Sequence, residues 1–131
     1  IFMNKILVEV SVGELFDKIS ILEIKQEKIK DSGKLKFIYD EHTVLKEQLD
    51  KNVKSDNKLD KFFQSLKDIN SKLWVIEDDK RQCEKDKNFT EKFIKLSRDV
   101  HFLNDDRAKI KLEINNYTGS KIKEIKEYTN Y

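Results

Sequence analysis

Proline is absent from this 131-residue chain, and glycine occurs only three times. No proline forces a helix to break, and few positions offer a glycine turn. Cysteine is almost missing too, since Cys83 stands alone. A disulfide framework and a cysteine-rich zinc site are thereby excluded, and a reducing compartment, the cytoplasm, is expected. No apolar run reaches the ~18 to 20 residues that span a bilayer, and no long apolar stretch of a signal peptide opens the sequence. A soluble chain with no membrane partner is expected. An excess of one charge is lacking as well, because 27 cations face 25 anions for a formal net charge of +2. That balance fits neither a polyanion-binding tail nor an acidic solvating protein, and with no basic half no nucleic-acid partner is expected.

What is present is a charged, helix-forming sequence. Charged residues make up 40% and hydrophobic ones 37%, enough for one core and one domain over residues 1–131. Met3 is the only methionine, so Ile1-Phe2 ahead of it read as a cloning remnant or an upstream start. Of the 27 cations 24 are lysine, a bias that AT-rich coding leaves on a solvated surface. Arg81, Arg98 and Arg107 therefore stand out, because a planar guanidinium fork does what an ammonium cannot.

Ile6-Leu7-Val8-Glu9-Val10 is a β-branched apolar run and the one convincing strand candidate. Ser11-Val12-Gly13-Glu14 reads as a capping box, so a first helix is expected over about 12–30, ended by Asp31-Ser32-Gly33. A second helix takes about 34–52, and the polar stretch Asn52 to Asn57 is a turn. A third should run unbroken over about 56–86. Asn88-Phe89-Thr90-Glu91 caps a fourth over about 90–117, closed by Gly119. Beyond it Ile122, Ile125 and Tyr128 are spaced for one further short amphipathic helix. The expected fold is mainly α, an antiparallel bundle with a long hairpin of the third and fourth helices and a short N-terminal strand.

Three stretches carry a resemblance: Ser11-Val-Gly-Glu-Leu-Phe-Asp-Lys-Ile-Ser-Ile-Leu-Glu-Ile-Lys25, Leu73-Trp-Val-Ile-Glu-Asp-Asp-Lys-Arg-Gln-Cys-Glu84, and Asn104-Asp-Asp-Arg-Ala-Lys-Ile-Lys-Leu-Glu-Ile-Asn115. Together they resemble a family of small helical bacterial and phage proteins catalogued as a domain of unknown function. The likeness covers almost the whole chain. It implies an intact natural domain and leaves the chemistry open.

Each apolar stripe carries a polar intruder. In the first helix Leu15, Ile19, Leu22 and Ile29 surround Gln26, with Glu23 between Ile19 and Phe16. In the second, Leu35, Ile38, Leu45 and Leu49 surround His42. In the fourth, Phe93, Leu96, Val100, Leu103, Ile110 and Ile114 define an arc with Arg107 in its middle. The third, with Phe62, Leu66, Ile69, Leu73, Ile76 and Cys83, has Lys80 in that place. Counting back from each loop brings Glu23, Gln26, His42 and Arg107 to within about two turns of one another, with Lys80 farther along. A buried arginine needs a partner, and Glu23 is the natural one.

Such a group is either a structural layer that fixes register or a pocket in which Arg107 binds a carboxylate or phosphate and Glu23 or His42 acts on it. Glu14-x-x-Asp17 and Glu124-x-x-Glu127 are the spacing used by metal-dependent nucleotide pyrophosphohydrolases, and His101 with Asp105 could share a metal. An acid-rich sequence produces such pairs by chance. Glu77, Asp78, Asp79 and Glu84 around Arg81 read as a solvated ion-pair network, and Cys83 as inert core. A non-catalytic interaction or scaffold module is therefore the expected function. The alternative is a small-anion-binding protein or phosphohydrolase with its site in the bundle core.

The hairpin should outreach the shorter helices by roughly 20 Å at 1.5 Å per residue. Trp74, Ile76, Phe93 and Leu96 on that overhang are the expected interface of a homodimer, because two helices cannot bury them alone.

Overall fold

The computed structural model describes residues 4–131, so the reading of Ile1-Phe2 lies outside the described residues. Four helices form: α1 Val12–Lys28, α2 Ser32–Asn52, α3 Asn57–Asp86 and α4 Glu91–Thr118. Side-chain caps set three of their starts. Ser11 Oγ accepts from the Glu14 amide at 3.0 Å, Asp31 Oδ1 from Lys34 at 2.9 Å, and Asp56 Oδ1 from Leu59 at 2.8 Å. Each satisfies an amide that the helix itself leaves without a partner. Gly119 closes α4 in the left-handed region at φ 68°, as its place in the sequence suggests. Lys87 closes α3 in the same region at φ 55°, where a side chain is strained and glycine would not be.

The helices run up and down. α1 packs against α2, α3 and α4, and α3 packs against α4, so α1 is the central helix. The core lies where α1, α3 and α4 meet the end of α2, built from Phe16, Ile19, Leu49, Leu59, Leu66 and Ile114. Phe16 meets Phe63 edge to face at 6.1 Å, and Phe62 meets Tyr117 likewise. α1 and α4 touch at Gly13: a Cβ there would lie 2.5 Å from the Lys111 carbonyl oxygen, a distance no side chain tolerates. Among the described residues no helix is long and apolar enough to cross a membrane.

Three expectations are corrected. Residues 6–10 form no strand; Ile6, Leu7 and Val8 are 83%, 85% and 74% exposed. A strand needs a ladder partner, and the rest of the described chain commits its backbone to helices and their connections. The segment after Gly119 forms no helix either. A helix so short is marginal in water, and its side chains are drawn instead to α1 and α4, as described below. The hairpin projects less than expected. Ser20 meets Asn70, and at that register Lys28 falls level with about residue 78, leaving roughly 12 Å of α3 beyond α1.

Candidate functional site

The deepest polar group is centred on Asp17, whose side chain is 2% exposed. Arg107 Nε donates to its Oδ1 at 2.9 Å and Arg107 Nη2 donates to its Oδ2, a bidentate fork. Asn70 Nδ2 donates both to Asp17 Oδ1 at 2.9 Å and to Ser20 Oγ at 2.8 Å, and Ser20 Oγ donates to the Asp17 carbonyl at 2.8 Å. The hydrogen bonds that Arg107 donates to Asp17 raise its pKa against the opposing effect of burial. α1 supplies Asp17 and Ser20, α3 supplies Asn70 and α4 supplies Arg107, so the group ties three helices at one level.

One turn toward the start of α1 the pattern repeats with lysine. Lys111 Nζ donates to Glu14 Oε2 at 2.6 Å and to Glu124 Oε2 at 2.9 Å, with Asp17 Oδ2 at 3.9 Å. Burial opposes the Lys111 charge, yet the hydrogen bonds it donates to Glu14 and Glu124 hold its pKa above the ordinary lysine value. Glu124 is pulled down to about 2, by Lys126 first and then by Lys111. The start of α1 is fully occupied. Ser120 Oγ accepts from the Val12 amide at 3.2 Å, Asn115 Oδ1 from Gly13 at 2.7 Å, and Ser11 from Glu14. The positive end of this helix, a ready anion site elsewhere, is closed here by the chain's own oxygens.

Of the residues singled out from sequence, Glu23 and His42 do meet, His42 Nε2 lying 3.3 Å from Glu23 Oε2. Arg107 does not join them. Its partner is Asp17, a correction to the expected Glu23 pair, and Glu23 instead takes Lys67 at 3.5 Å, which also bonds Glu27 at 2.8 Å. Gln26 is half-buried on α1 and enters neither group. Lys80 sits over the Phe93 ring at 5.9 Å, well away from both. His101 packs against Phe102 and Tyr131, while Asp105 accepts from the Tyr131 hydroxyl. Glu14, Asp17 and Glu124, from the two acidic motifs, converge on the Lys111 ammonium, and among the described residues no group of three His, Cys, Asp or Glu could hold a metal ion. Trp74, Ile76, Phe93 and Leu96 are half-buried, and Cys83 is buried.

Sequence reasoning missed Asn70 and Lys111, and marked Asp17 only as half of an acidic motif, not as the partner of Arg107. The available signal was a second face of α1, Gly13, Asp17, Ser20 and Ile24, all buried and spaced i, i+4, i+7, i+11. A central helix is buried on more than one face, and this face is small or polar at Gly13, Asp17 and Ser20 where the other is apolar.

The family model that matches this chain describes a family of unknown function, DUF6165, and it spans residues 6–131. The chain belongs to that family. The match runs through both irregular ends, so the segment before α1 and the tail after α4 are part of the DUF6165 domain. No curated protein and no solved structure matches the chain.

Proposed function

We propose that the chain is a non-catalytic helical interaction module that pairs with a second copy through the tip of the α3–α4 hairpin. Among the described residues every buried side-chain nitrogen and oxygen has a hydrogen-bond partner within the chain. A layer so complete serves register, as single buried polar groups do in coiled coils. Apolar surface at the tip, by contrast, is left over: Phe89 is 49% and Ile94 55% exposed, beside the half-buried Phe93 and Leu96, while Trp74 and Ile76, expected on the overhang, fall level with the end of α1. That uncovered tip is the observation that carries this reading.

A second copy suits the charges as well as the apolar surface. Among the described residues the ion pairs of the tip are Lys87 with Glu84 and Lys95 with Asp99. Glu77, Asp78, Asp79, Arg81 and Lys85 on α3 and Lys92 on α4 make none, and a twofold axis would set acids of one copy against bases of the other. The lone thiol of Cys83 is buried, which suits the reducing cytoplasm. Light scattering at micromolar concentration tests the pairing. A dimeric mass is expected, reduced to one chain by Ile94→Glu, an exposed site whose change leaves the fold intact. A mass near 15.7 kDa at every concentration overturns it.

A further inference from the structure

Residues 121–131 have no regular secondary structure, yet side chains hold the tail along α4. Ser120 caps α1 through the Val12 amide, and Glu124 takes Lys111. At the far end the Tyr131 hydroxyl donates to Asp105, and its ring packs on His101 at 5.4 Å and Phe102 at 5.6 Å. Between these anchors the tail bridges a groove of about 770 Å³ floored by Arg107, Ala108 and Lys111 and walled by Tyr128 and Tyr131. Small-molecule sites fall in the range of roughly 300–1,000 Å³.

Three cationic side chains line this groove, Arg107 and Lys111 on its floor and Lys126 on the tail, beside the carboxylates Glu14, Asp105 and Glu124. Arg107 commits Nε and Nη2 to Asp17, but its Nη1 has only a long 3.4 Å contact to Asn104 Oδ1. Lys111 has Glu14, and Asp17 at 3.9 Å, fixed in the body on α1, and a further partner, Glu124, that comes from the irregular tail and is 39% exposed. Without Glu124, Lys111 lacks one charge-assisted hydrogen bond, next to an arginine nitrogen that also lacks a close acceptor. Convergent donors of this kind match the oxygens of a phosphate or carboxylate.

We propose that the groove between α4 and the tail binds a small oxyanion compound, and that the tail is a strap whose Glu124 carboxylate holds the ligand's place on Lys111. The ligand trades one carboxylate for its own oxygens and leaves the Asp17 layer intact. The strap gives way because few side chains hold it; Ile125 and Tyr128 on it are 75% and 67% exposed. The site is separate from the hairpin tip, so Ile94→Glu leaves it unchanged and either proposal can fail alone.

Calorimetric titration of the full chain with pyrophosphate and with citrate tests this, and the tighter probe names the ligand class. Glu124→Gln is expected to bind at least about tenfold more tightly than the unmodified chain, since the competing charge-assisted hydrogen bond is weakened. Ala108→Glu, which sets a carboxylate on the groove floor, is expected to abolish binding. In the unmodified chain either probe should speed tryptic cleavage after Lys123 and Lys126, which flank Glu124, by freeing that part of the strap while Tyr131 stays anchored on Asp105 and His101. No binding to either protein, equal affinity with Gln at position 124, binding retained with Glu at 108, or unchanged cleavage overturns the proposal.

Discussion

Two ion clusters lean on α1 less than two turns apart, and they differ in what water can reach. The Asp17 side chain is 2% exposed and receives a bidentate guanidinium together with an amide, whereas Glu23 is 29% exposed and meets His42 and Lys67 at 3.3 and 3.5 Å. The buried position takes one of only three arginines; the half-exposed one is served by histidine and lysine. Guanidinium sheds water more readily than ammonium and fixes its partner at two points, so it suits the site where no water can substitute for a lost bond. Two carboxylates on one helix therefore have unequal consequences: one cannot be left unpaired, the other is solvated either way.

Breaking that contrast should have its largest effect at Arg107. Arg107→Met strands the Asp17 carboxylate in the core, and a loss of about 3–5 kcal/mol is expected in denaturant unfolding. Asp17→Leu combined with Arg107→Met should be less destabilising than the two single losses summed, with a coupling of about 1–3 kcal/mol. The same cycle run between Arg107 and Glu23 should show additivity within about 0.5 kcal/mol. Coupling to Glu23 as strong as to Asp17 would restore the pairing expected from level counting.

The helices were legible because their signals are local. Ser11, Asp31, Asp56 and Gly119 mark ends within a turn of themselves, and every stripe of apolar residues lies on one helix. What joins Arg107 to Asp17 rather than Glu23 is a matter of six residues along α1, about 9 Å, inside the error of counting from loops. The identity of the central helix was also hidden, since a one-stripe reading of α1 overlooks its small polar face. For residues 6–10 and the tail, propensity was read correctly as β-branched and amphipathic and still lost. A strand has no partner there, and Ser120, Glu124 and Tyr131 find α1 and α4 instead.

A much smaller effect is expected at the half-exposed cluster. Glu23→Gln keeps the shape, and its amide still reaches Lys67 or His42 with water nearby, so the loss should stay within about 1 kcal/mol in the same unfolding measurement. A loss as large as that of Arg107→Met would erase the distinction between the two clusters.

The tail lies between these cases, with Lys111 buried and Glu124 39% exposed, and, because solvent screens an ion pair this exposed, its effect on global stability should be the smallest. Glu124 has its pKa lowered from 4.5 to about 2 by Lys126 and Lys111. A carboxyl group whose folded pKa is depressed contributes its stabilisation in full above the unfolded value, because the unfolded chain then gains no proton that the folded one lacks. As the pH falls below about 4.5 the unfolded chain protonates first, and the contribution drains away until about pH 2, where Glu124 itself takes a proton. The tail should therefore stay attached through mildly acid conditions and detach only near the bottom of that window. Following the Glu124 carboxyl carbon by NMR against pH reads this directly. A midpoint near 4.5 would mean that Glu124 is solvated like any surface glutamate and that the strap is not fastened at Lys111.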